Sequence, residues 1–399
     1  MSRSSFSRRQ FLTTTTGASL AFLSGCSLQD QPVLNVRPLV GAVPAQILGR
    51  FQSQLRQSAQ PATLQFLPET TPRQLFKLLQ DWRQAKVKAD ASPASFLDRL
   101  PFIGKSGRSR VADLVSLSDY WLQKAIQQSL IQPFEASTLP GWEKLDPRWK
   151  SIVTRDPQGF PAATGQVWGI PYRWGTMVIA YRKDMFKQKG LQPPTDWSDL
   201  WRPELKHRFS LPDQAREVIG LTLKKLGKSY NTPNLKDVPQ LEAELQALHQ
   251  QVKLYSSTAY LQPLMLGDTW AAVGWSSDIF PLLQRNQQLA AVTPQSGSSL
   301  WADIWVRPSA IEQELSKLAI AWLQFGWQPA IASFWANVSQ TALPVLTNLP
   351  AKDLPESLQT NRLLLPEPAL FNKNEFLLPL PEAAIAQYRE LWLTLRKDL

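Results

Sequence analysis

The sequence predicts an α/β protein built from two lobes. Short apolar segments of strand length alternate with amphipathic segments of helix length through most of the 399 residues. A chain of this length exceeds what one hydrophobic core usually holds, since domains typically have about 100–200 residues. The 16 tryptophans supply generous core area. We therefore expect two cores.

The first third of the chain sets up this alternation. Strands are predicted at 33–36 and 62–67, and helices at 46–57 and 72–86. Between 89 and 110 the alternation is interrupted by Pro, Gly, Ser and scattered charges, which indicates a surface excursion. A further strand is predicted at 111–115.

The middle of the chain contains a predicted crossing between the lobes. Residues 168–172 lead into a strand at 176–181, and we place the first hinge there. A helix is expected to begin near Asp213, whose side chain would cap the free amides, and to stop at Gly227. Its apolar stripe consists of Ile219, Leu223 and Leu226.

The last quarter shows two more helical patterns. An apolar stripe of Ile311, Leu315, Leu318 and Trp322 follows a predicted cap at Ser309. The final amphipathic helix is expected at 382–396. Between them, residues 344–381 are rich in proline and are expected to run over the surface between the lobes.

The N-terminus has the pattern of an export signal rather than of a fold. Arg8 and Arg9 form a twin-arginine motif, and a weakly apolar stretch then ends in Leu23-Ser24-Gly25-Cys26, a lipobox. We expect residues 1–26 to act as this signal and Cys26 to become the lipidated N-terminus of a membrane-anchored periplasmic protein. The alternative is a basic tail with an ordinary cysteine. Because Cys26 is the only cysteine, no disulfide is expected.

Charge and motifs exclude several other functions. The formal net charge is +11, but the 43 Lys and Arg residues are spread along the chain without a nucleic-acid motif, so attraction to an anionic membrane explains the charge better. His207 and His249 are too far apart for an obvious metal site, and both are expected at the surface. No phosphate loop or nucleophile elbow is present. We expect no metal, no cofactor and no enzyme activity.

Aromatic residues stand beside carboxylates at several positions, which suits an organic cation. The pairs are Trp301 with Asp303, Trp275 with Asp278, and Tyr120 with Asp119, and Glu217 adds a further carboxylate. An ammonium group entering a cleft recovers its lost hydration over an aromatic face and at a carboxylate. Two structural explanations remain open: Trp275 and Trp301 belong to the core, or Asp213 and Glu217 only favour a helix N-terminus.

Several longer motifs carry a family resemblance. They are Asp113–Tyr120 (DLVSLSDY), Trp168–Thr176 (WGIPYRWGT), Asp196–Glu204 (DWSDLWRPE) and Asp213–Val218 (DQAREV), together with Trp275 and Trp301-Ala302-Asp303. On these motifs the chain resembles the bacterial spermidine/putrescine-binding proteins of ABC importers. That resemblance implies a type II periplasmic binding-protein fold, in which two lobes, each a mixed sheet flanked by helices, are joined by hinge crossings. The first lobe would comprise residues 27–175 and 303–355, and the second lobe 176–302 and 356–399.

The same resemblance implies how a polyamine is held. Asp303 would bind one amine, Trp275 and Trp301 would flank the methylene chain, and Glu217 would bind the second amine. Ser118 and Tyr120 would line the other lobe, and Asp213 would compensate for Gln214, which stands where the family has an aspartate. The partners implied are a polyamine, the importer's permease and the membrane, with the protein itself a monomer. Asp303→Asn is then expected to weaken binding and to leave folding nearly untouched.

Some family contacts are absent from the sequence. Leu39-Val40-Gly41-Ala42 replaces an aromatic-rich run, and leucines at 343 and 378 stand where the family has a tyrosine and a glutamine. The pocket is therefore expected to favour a shorter or more apolar cation than spermidine, or a different amine. A ferric-ion binder on the same fold would need a cluster of tyrosines and carboxylates, but the chain has only seven tyrosines and none are adjacent, which argues against this alternative. Two further functions stay open: a lipoprotein glycoside hydrolase that uses two of Glu217, Asp213 and Asp303, and a scaffold without a small ligand.

Overall fold

A single large mixed sheet connects the two halves of the protein in the computed structural model, which describes residues 31–91 and 111–398. The strands of the described part are β1 (Val33–Arg37), β2 (Thr63–Phe66), β3 (Leu114–Ser118), β4 (Ile131–Gln132), β5 (Thr154–Arg155), β6 (Gln166–Val167), β7 (Ile170–Arg182), β8 (Phe209–Leu211), β9 (Leu254–Tyr255), β10 (Ala271–Trp275), β11 (Leu289–Val292), β12 (Ser299–Pro308) and β13 (Glu375–Phe376). The main path of the sheet is β2-β1-β3-β12-β7-β10-β8-β9.

Helices cover both faces of this sheet. Those described are α1 (Ala45–Gln57), α2 (Pro72–Ala91), α3 (Asp119–Gln127), α4 (Pro147–Ser151), α5 (Lys183–Gln188), α6 (Ala215–Lys225), α7 (Leu241–Gln251), α8 (Gln262–Leu266), α9 (Ser276–Arg285), α10 (Lys317–Trp327), α11 (Pro329–Ser339), α12 (Glu356–Gln359), α13 (Pro368–Phe371) and α14 (Glu382–Leu395). None of the helices within the described ranges is long and apolar enough to span a bilayer.

Strand β7 belongs to both halves of the sheet. Residues 170–176 pair antiparallel with β12, and residues 177–182 pair antiparallel with β10 and β11. The outer strands of each half pair in parallel, as β1 does with β2 and β3, and as β8 does with β9 and β10. The crossing predicted in this region is therefore a continuous strand, and the sheet is mixed, as the family resemblance implied.

Two large apolar cores lie on the two halves of the sheet. The first consists chiefly of buried residues between 34 and 174 and between 300 and 376, while the second consists of residues between 177 and 273 and between 380 and 395. Trp174 on β7 packs in the first core, and Met177, three residues later, packs in the second. This arrangement confirms the predicted two-lobed α/β fold. The residue boundaries proposed for the lobes stay a prediction.

Two predicted helix caps are wrong. Helix α6 begins at Ala215, near Asp213 as predicted, but Asp213 is not its cap: the N-cap position is Gln214, which has a φ of −141° and forms no side-chain cap. Helix α10 begins at Lys317, where Ser316 accepts a hydrogen bond from the Ala319 amide. The predicted cap, Ser309, instead follows directly after β12 and donates its hydroxyl to the Ser129 carbonyl.

Two other local predictions also need correction. The strand expected at 111–115 is β3, which begins only at Leu114. Asp113, just before it, accepts a hydrogen bond from the backbone amide of Asn35 with its side-chain carboxylate. The proline-rich segment 344–381 does not simply run over the surface, since Leu346, Leu358 and Phe376 are buried in the first core. The excursion predicted at 89–110 lies largely outside the described residues.

Candidate functional site

A cavity of about 690 Å³ is lined by residues from both lobes. Its lining includes every residue that the sequence singled out for ligand binding: Ser118, Tyr120, Asp213, Glu217, Trp275, Trp301 and Asp303. The size falls within the range of about 300–1,000 Å³ that is usual for small-molecule sites. The structure thus brings these seven residues together, while their contacts with a ligand stay a prediction.

The ends of strands and the beginnings of helices supply most of the lining. Ser118 is the last residue of β3, directly before α3, and Trp275 is the last residue of β10, directly before α9. Asp213 lies between β8 and α6, and Glu217 lies in the first turn of α6. Ligands of α/β proteins commonly bind at such strand ends, where loops converge.

Trp301 lies on β12 against the backbone of β7. It pairs in register with Gly175, where an added Cβ atom would lie 2.8 Å from Cζ2 of the indole and 2.5 Å from Oγ of Ser276. A side chain at Gly175 would therefore push the indole out of its position. Trp275 and Trp301 are both half-buried and line the cavity, so neither is a fully buried core residue.

Asp303 forms a buried ion pair with Arg173, its register partner on β7. Nε and Nη2 of Arg173 lie 2.7 Å and 2.6 Å from the same carboxylate oxygen, Oδ2. The side chains of both residues are 8% exposed. Burial raises the pKa of Asp303, and the adjacent guanidinium opposes that rise. Arg173 was not identified from the sequence. Its ion pair is a physical reason to expect that Asp303→Asn lowers stability, in contrast to the expectation that the substitution leaves folding nearly untouched.

Arg173 also occupies space beside Trp301. Its guanidinium carbon lies 5.5 Å from the centre of the indole, within the range of a cation–π contact. Burial lowers the pKa of Arg173, but the negative charge of Asp303 and the hydrogen bonds to Asp303 and Tyr172 together outweigh this effect, so the pKa is raised. Arg173 is therefore a permanent cation inside the cavity, at the place where a ligand's ammonium was expected.

Glu217 is a buried carboxyl group, with 1% of the residue exposed. Its Oε2 accepts a hydrogen bond of 2.6 Å from the hydroxyl of Ser299 on β12. Burial raises its pKa to about 7, against opposing contributions from this hydrogen bond and from Arg216. Glu217 forms no salt bridge within the described part of the chain, so its charge is available for compensation by a cation.

Asp119, which is half-buried, is a second carboxyl group without a salt bridge among the described residues, and it is contributed by the other lobe. It begins α3, lines the cavity, and accepts the Ala302 amide at 3.2 Å and the Ser118 hydroxyl at 3.3 Å. Burial raises its pKa to about 7, although the hydrogen bond from Ala302 and the charge of Arg155 oppose this rise. The sequence pattern paired Asp119 with Tyr120, but only Tyr120 was selected as a ligand-binding residue. Asp119 follows a buried strand directly and begins a helix, and this position is the sequence feature that could have identified it.

The remaining charged groups of the lining already have partners. Arg216 donates to the carbonyls of Tyr230 and Leu378 and to the side chain of Asn231. Asp278 accepts a hydrogen bond of 2.6 Å from the Tyr260 hydroxyl. Asp213 is exposed and lies 3.8 Å from Arg396. These groups contribute to the field in the cavity. The hydrogen-bond partners of Arg216 are neutral, and its positive charge also acts on Glu217.

Carboxyl groups outnumber cations in the lining as a whole. Five carboxyls face two guanidinium groups, with the carboxyls on Asp119, Asp213, Glu217, Asp278 and Asp303, and the guanidiniums on Arg173 and Arg216. Such a cavity attracts cations although the whole chain carries a formal charge of +11. In the described ranges no three His, Cys, Asp or Glu side chains are grouped as metal ligands. His207 is exposed, His249 stacks on Tyr255, and neither lines the cavity.

Comparison with known proteins decides the family. The sequence pattern of the bacterial extracellular solute-binding proteins matches residues 104–363, which is more than half of the chain. The chain belongs to this family. Its members bind solutes and are not enzymes, which confirms the prediction that this protein is not an enzyme and removes the possibility of a glycoside hydrolase.

Individual solute-binding proteins are also similar to this chain in sequence. The spermidine/putrescine-binding periplasmic protein of Salmonella typhimurium is 28% identical over 294 residues, which cover 73% of this chain and 79% of the relative. A putrescine-binding periplasmic protein of Escherichia coli is 25% identical over 256 residues, covering 59% of this chain and 67% of the relative.

A solved structure shares the fold. The crystal structure of the spermidine/putrescine ABC transporter substrate-binding protein of Streptococcus pneumoniae, in complex with calcium and HEPES, has a TM-score of 0.73 and 21% identity. The match covers 92% of this chain and 99% of that chain. This likeness agrees with the two-lobed architecture described above.

Proposed function

We propose that this solute-binding protein captures a small organic cation of the polyamine type and delivers it to the permease of an ABC importer. The ligand would lie in the cavity between the lobes, and closure of the lobes over it would create the form that the permease recognises. The protein would act as a monomer and would catalyse no reaction.

The observation that carries this proposal is the excess of carboxyl groups in a cavity lined by two tryptophans. Asp119 and Glu217 have no ion-pair partner among the described residues, and Trp275 and Trp301 line the same cavity with aromatic surface. Burying a carboxylate without a cation is unfavourable, so a ligand that brings an ammonium group removes that penalty. The names of the Salmonella and Escherichia coli relatives, which specify spermidine and putrescine, support the same ligand class.

A screen of amines tests the proposed function directly. Ligands that bind only the folded state raise its stability, by about 2.7 kcal/mol at a concentration 100 times Kd. We expect short diamines and monoamines to raise the melting temperature, and sugars to leave it unchanged. The same amines are expected to change tryptophan fluorescence, and this change should be lost in the variant with Trp275→Phe and Trp301→Phe. Trp142→Phe, a half-buried tryptophan outside the cavity, is the matched control. A screen in which no amine shifts the melting temperature contradicts the proposal.

Attachment to the membrane through Cys26 is part of the same proposal. Its support is the twin-arginine motif at Arg8 and Arg9 followed by Leu23-Ser24-Gly25-Cys26. A lipid anchor would keep the binding protein beside the importer and would raise its effective concentration there.

We expect the protein to fractionate with membranes after processing before Cys26. Cys26→Ala should either release the protein into the soluble fraction or leave it unprocessed, because no other thiol is present to accept the lipid. Ser24→Thr, which retains the cysteine, is the control variant. Mass spectrometry of the N-terminus together with cell fractionation measures both effects. An intact Met1 on a wild-type protein found in the cytosol would exclude the anchor.

A further inference from the structure

A second cavity lies beside the first core, apart from the cavity that both lobes line. Its volume is about 570 Å³, and it shares no lining residue with the first cavity. The wall is formed by Trp174 of β7, by the beginning of α4, and by the segment 346–372, which includes α12 and α13. This volume also falls within the range of about 300–1,000 Å³ that is usual for small-molecule sites.

The lining of the second cavity is mainly apolar and carries no net charge. Five leucines, together with the aromatic rings of Trp174 and Phe371, supply most of the apolar surface. Two carboxylates and two guanidiniums complete the wall, and they balance each other: Asp146, Glu367, Arg148 and Arg362. The first cavity has an excess of carboxyl groups, whereas this one favours an uncharged and apolar occupant.

One buried polar atom of this wall has no partner. Trp174 is 1% exposed, and its Nε1 forms no hydrogen bond within the part of the chain that the structure describes. The neighbouring indole of Trp149, with its ring centre 5.3 Å away, instead donates to the hydroxyl of Thr347 at 3.0 Å. An indole N–H can only donate, and its burial without an acceptor is unfavourable. A molecule in the cavity can supply that acceptor.

Water is a poor match for such a site. A buried water typically makes about three hydrogen bonds to groups that are otherwise unsatisfied. Among the described residues, the lining offers one buried side-chain atom of that kind, Nε1 of Trp174. Other polar side chains of the wall are already bonded, since Arg148 donates to the Phe371 carbonyl at 2.8 Å and Gln359 donates to the Leu354 carbonyl at 2.7 Å. An apolar molecule with a single acceptor fits better.

We propose that the second cavity binds an uncharged, largely apolar molecule whose carbonyl oxygen accepts a hydrogen bond from Nε1 of Trp174. The apolar part of this molecule lies against the leucines and Phe371. The inference does not rest on the proposed amine function, because the two cavities have separate linings of different charge. Trp174 is the residue that selects a carbonyl compound over a hydrocarbon of the same shape.

The test compares acetophenone with ethylbenzene, which has the same ring and a methylene group in place of the carbonyl group. Calorimetric titration is expected to show that both probes bind to the wild-type protein. Trp174→Phe keeps an aromatic ring in the wall and removes the donor. In this variant the affinity for acetophenone, relative to that for ethylbenzene, should fall at least about fivefold, because only the carbonyl group loses a hydrogen-bond partner.

Trp142→Phe is the matched control, since Trp142 lines neither cavity, and its affinity ratio should stay within about twofold of the wild type. A crystal structure of the wild-type protein with acetophenone requires no variant to fold. Its carbonyl oxygen is expected about 3 Å from Nε1 of Trp174. Acetophenone found elsewhere, or with its oxygen turned away from Nε1, overturns the inference. Failure of both probes to bind does so too, as does an unchanged ratio in a folded Trp174→Phe protein.

Discussion

Replacing Asp303 with asparagine is expected to lower the free energy of unfolding of the ligand-free protein by about 3 kcal/mol. Asparagine keeps the shape of the side chain and one acceptor oxygen, but it removes the charge that compensates Arg173. A guanidinium cannot release its proton to escape burial, so the variant retains an unpaired cation in a site where both side chains are 8% exposed. Thermal and urea unfolding of the ligand-free protein measure the loss.

The matched control is the double variant Asp303→Asn with Arg173→Met. Neutralising both members of a buried pair typically costs far less than removing one, and it is sometimes stabilising. We therefore expect the double variant to recover most of the stability lost in Asp303→Asn. If Asp303→Asn unfolds at the same temperature as the wild type, the ion pair between Arg173 and Asp303 contributes nothing to stability. Asp303 would then be available to a ligand.

The two unpaired carboxyls are expected to give opposite pH dependences for stability and for amine binding. Burial raises the pKa of Asp119 and that of Glu217 to about 7, whereas both groups have values of about 4 in an unfolded chain. Between about pH 4 and pH 7 the folded protein therefore binds more protons than the unfolded one. The stabilisation is complete below about pH 4 and is lost as the pH rises through about 7.

Amine affinity is expected to change in the other direction. An ammonium group binds the ionised carboxyls, so affinity should fall by about tenfold per pH unit for each carboxyl as the pH drops below about 7. The amine itself stays protonated up to about pH 10, like a lysine side chain. Calorimetric titration and ligand-free melting curves between about pH 5 and pH 8 measure the two trends.

The carboxyls themselves can be removed to assign these trends. The variant with Asp119→Asn and Glu217→Gln should lose most amine affinity. Its stability and its remaining affinity should both vary less with pH than those of the wild type. Glu242→Gln, at an exposed position on α7, should leave both profiles as in the wild type. A pH-dependent affinity that persists after both carboxyls are removed would place the ammonium group elsewhere.

The sequence was sufficient for the architecture because its signals are local. Alternating strand and helix patterns predicted β1, β2, α1 and α14 to within a few residues, and they predicted the crossing that turned out to be β7. Two of the errors concerned helix beginnings, where apolar spacing carries no information. Ile311 and Leu315 continue the stripe of α10 but precede its first residue, Lys317. The spacing is helical although the backbone there is not.

The site was predicted less completely, because its electrostatics depend on partners that are distant in the chain. The seven selected residues do line one cavity, but Arg173 and Asp303 are separated by 130 residues, and only the register of β7 on β12 makes them neighbours. Asp119 was visible beside Tyr120, yet nothing local showed that Asp119 would be half-buried while Tyr120 would be 64% exposed. Sequence patterns identify candidate charges and do not show which of them neutralise each other.

The way in which β7 and β12 connect the lobes also affects how this chain folds. The first core needs residues near both ends of the sequence, as in the hydrogen bond from Trp335 to the carbonyl of Ala42, which spans 293 residues. The second core is closed by Leu380 and Tyr388 of the C-terminal region. Neither core is therefore complete until the ribosome has made almost the whole chain, and contacts of such long range are associated with slow folding. Until α14 has emerged from the ribosome, the nascent chain exposes apolar side chains, many of them tryptophans, and is therefore prone to aggregation.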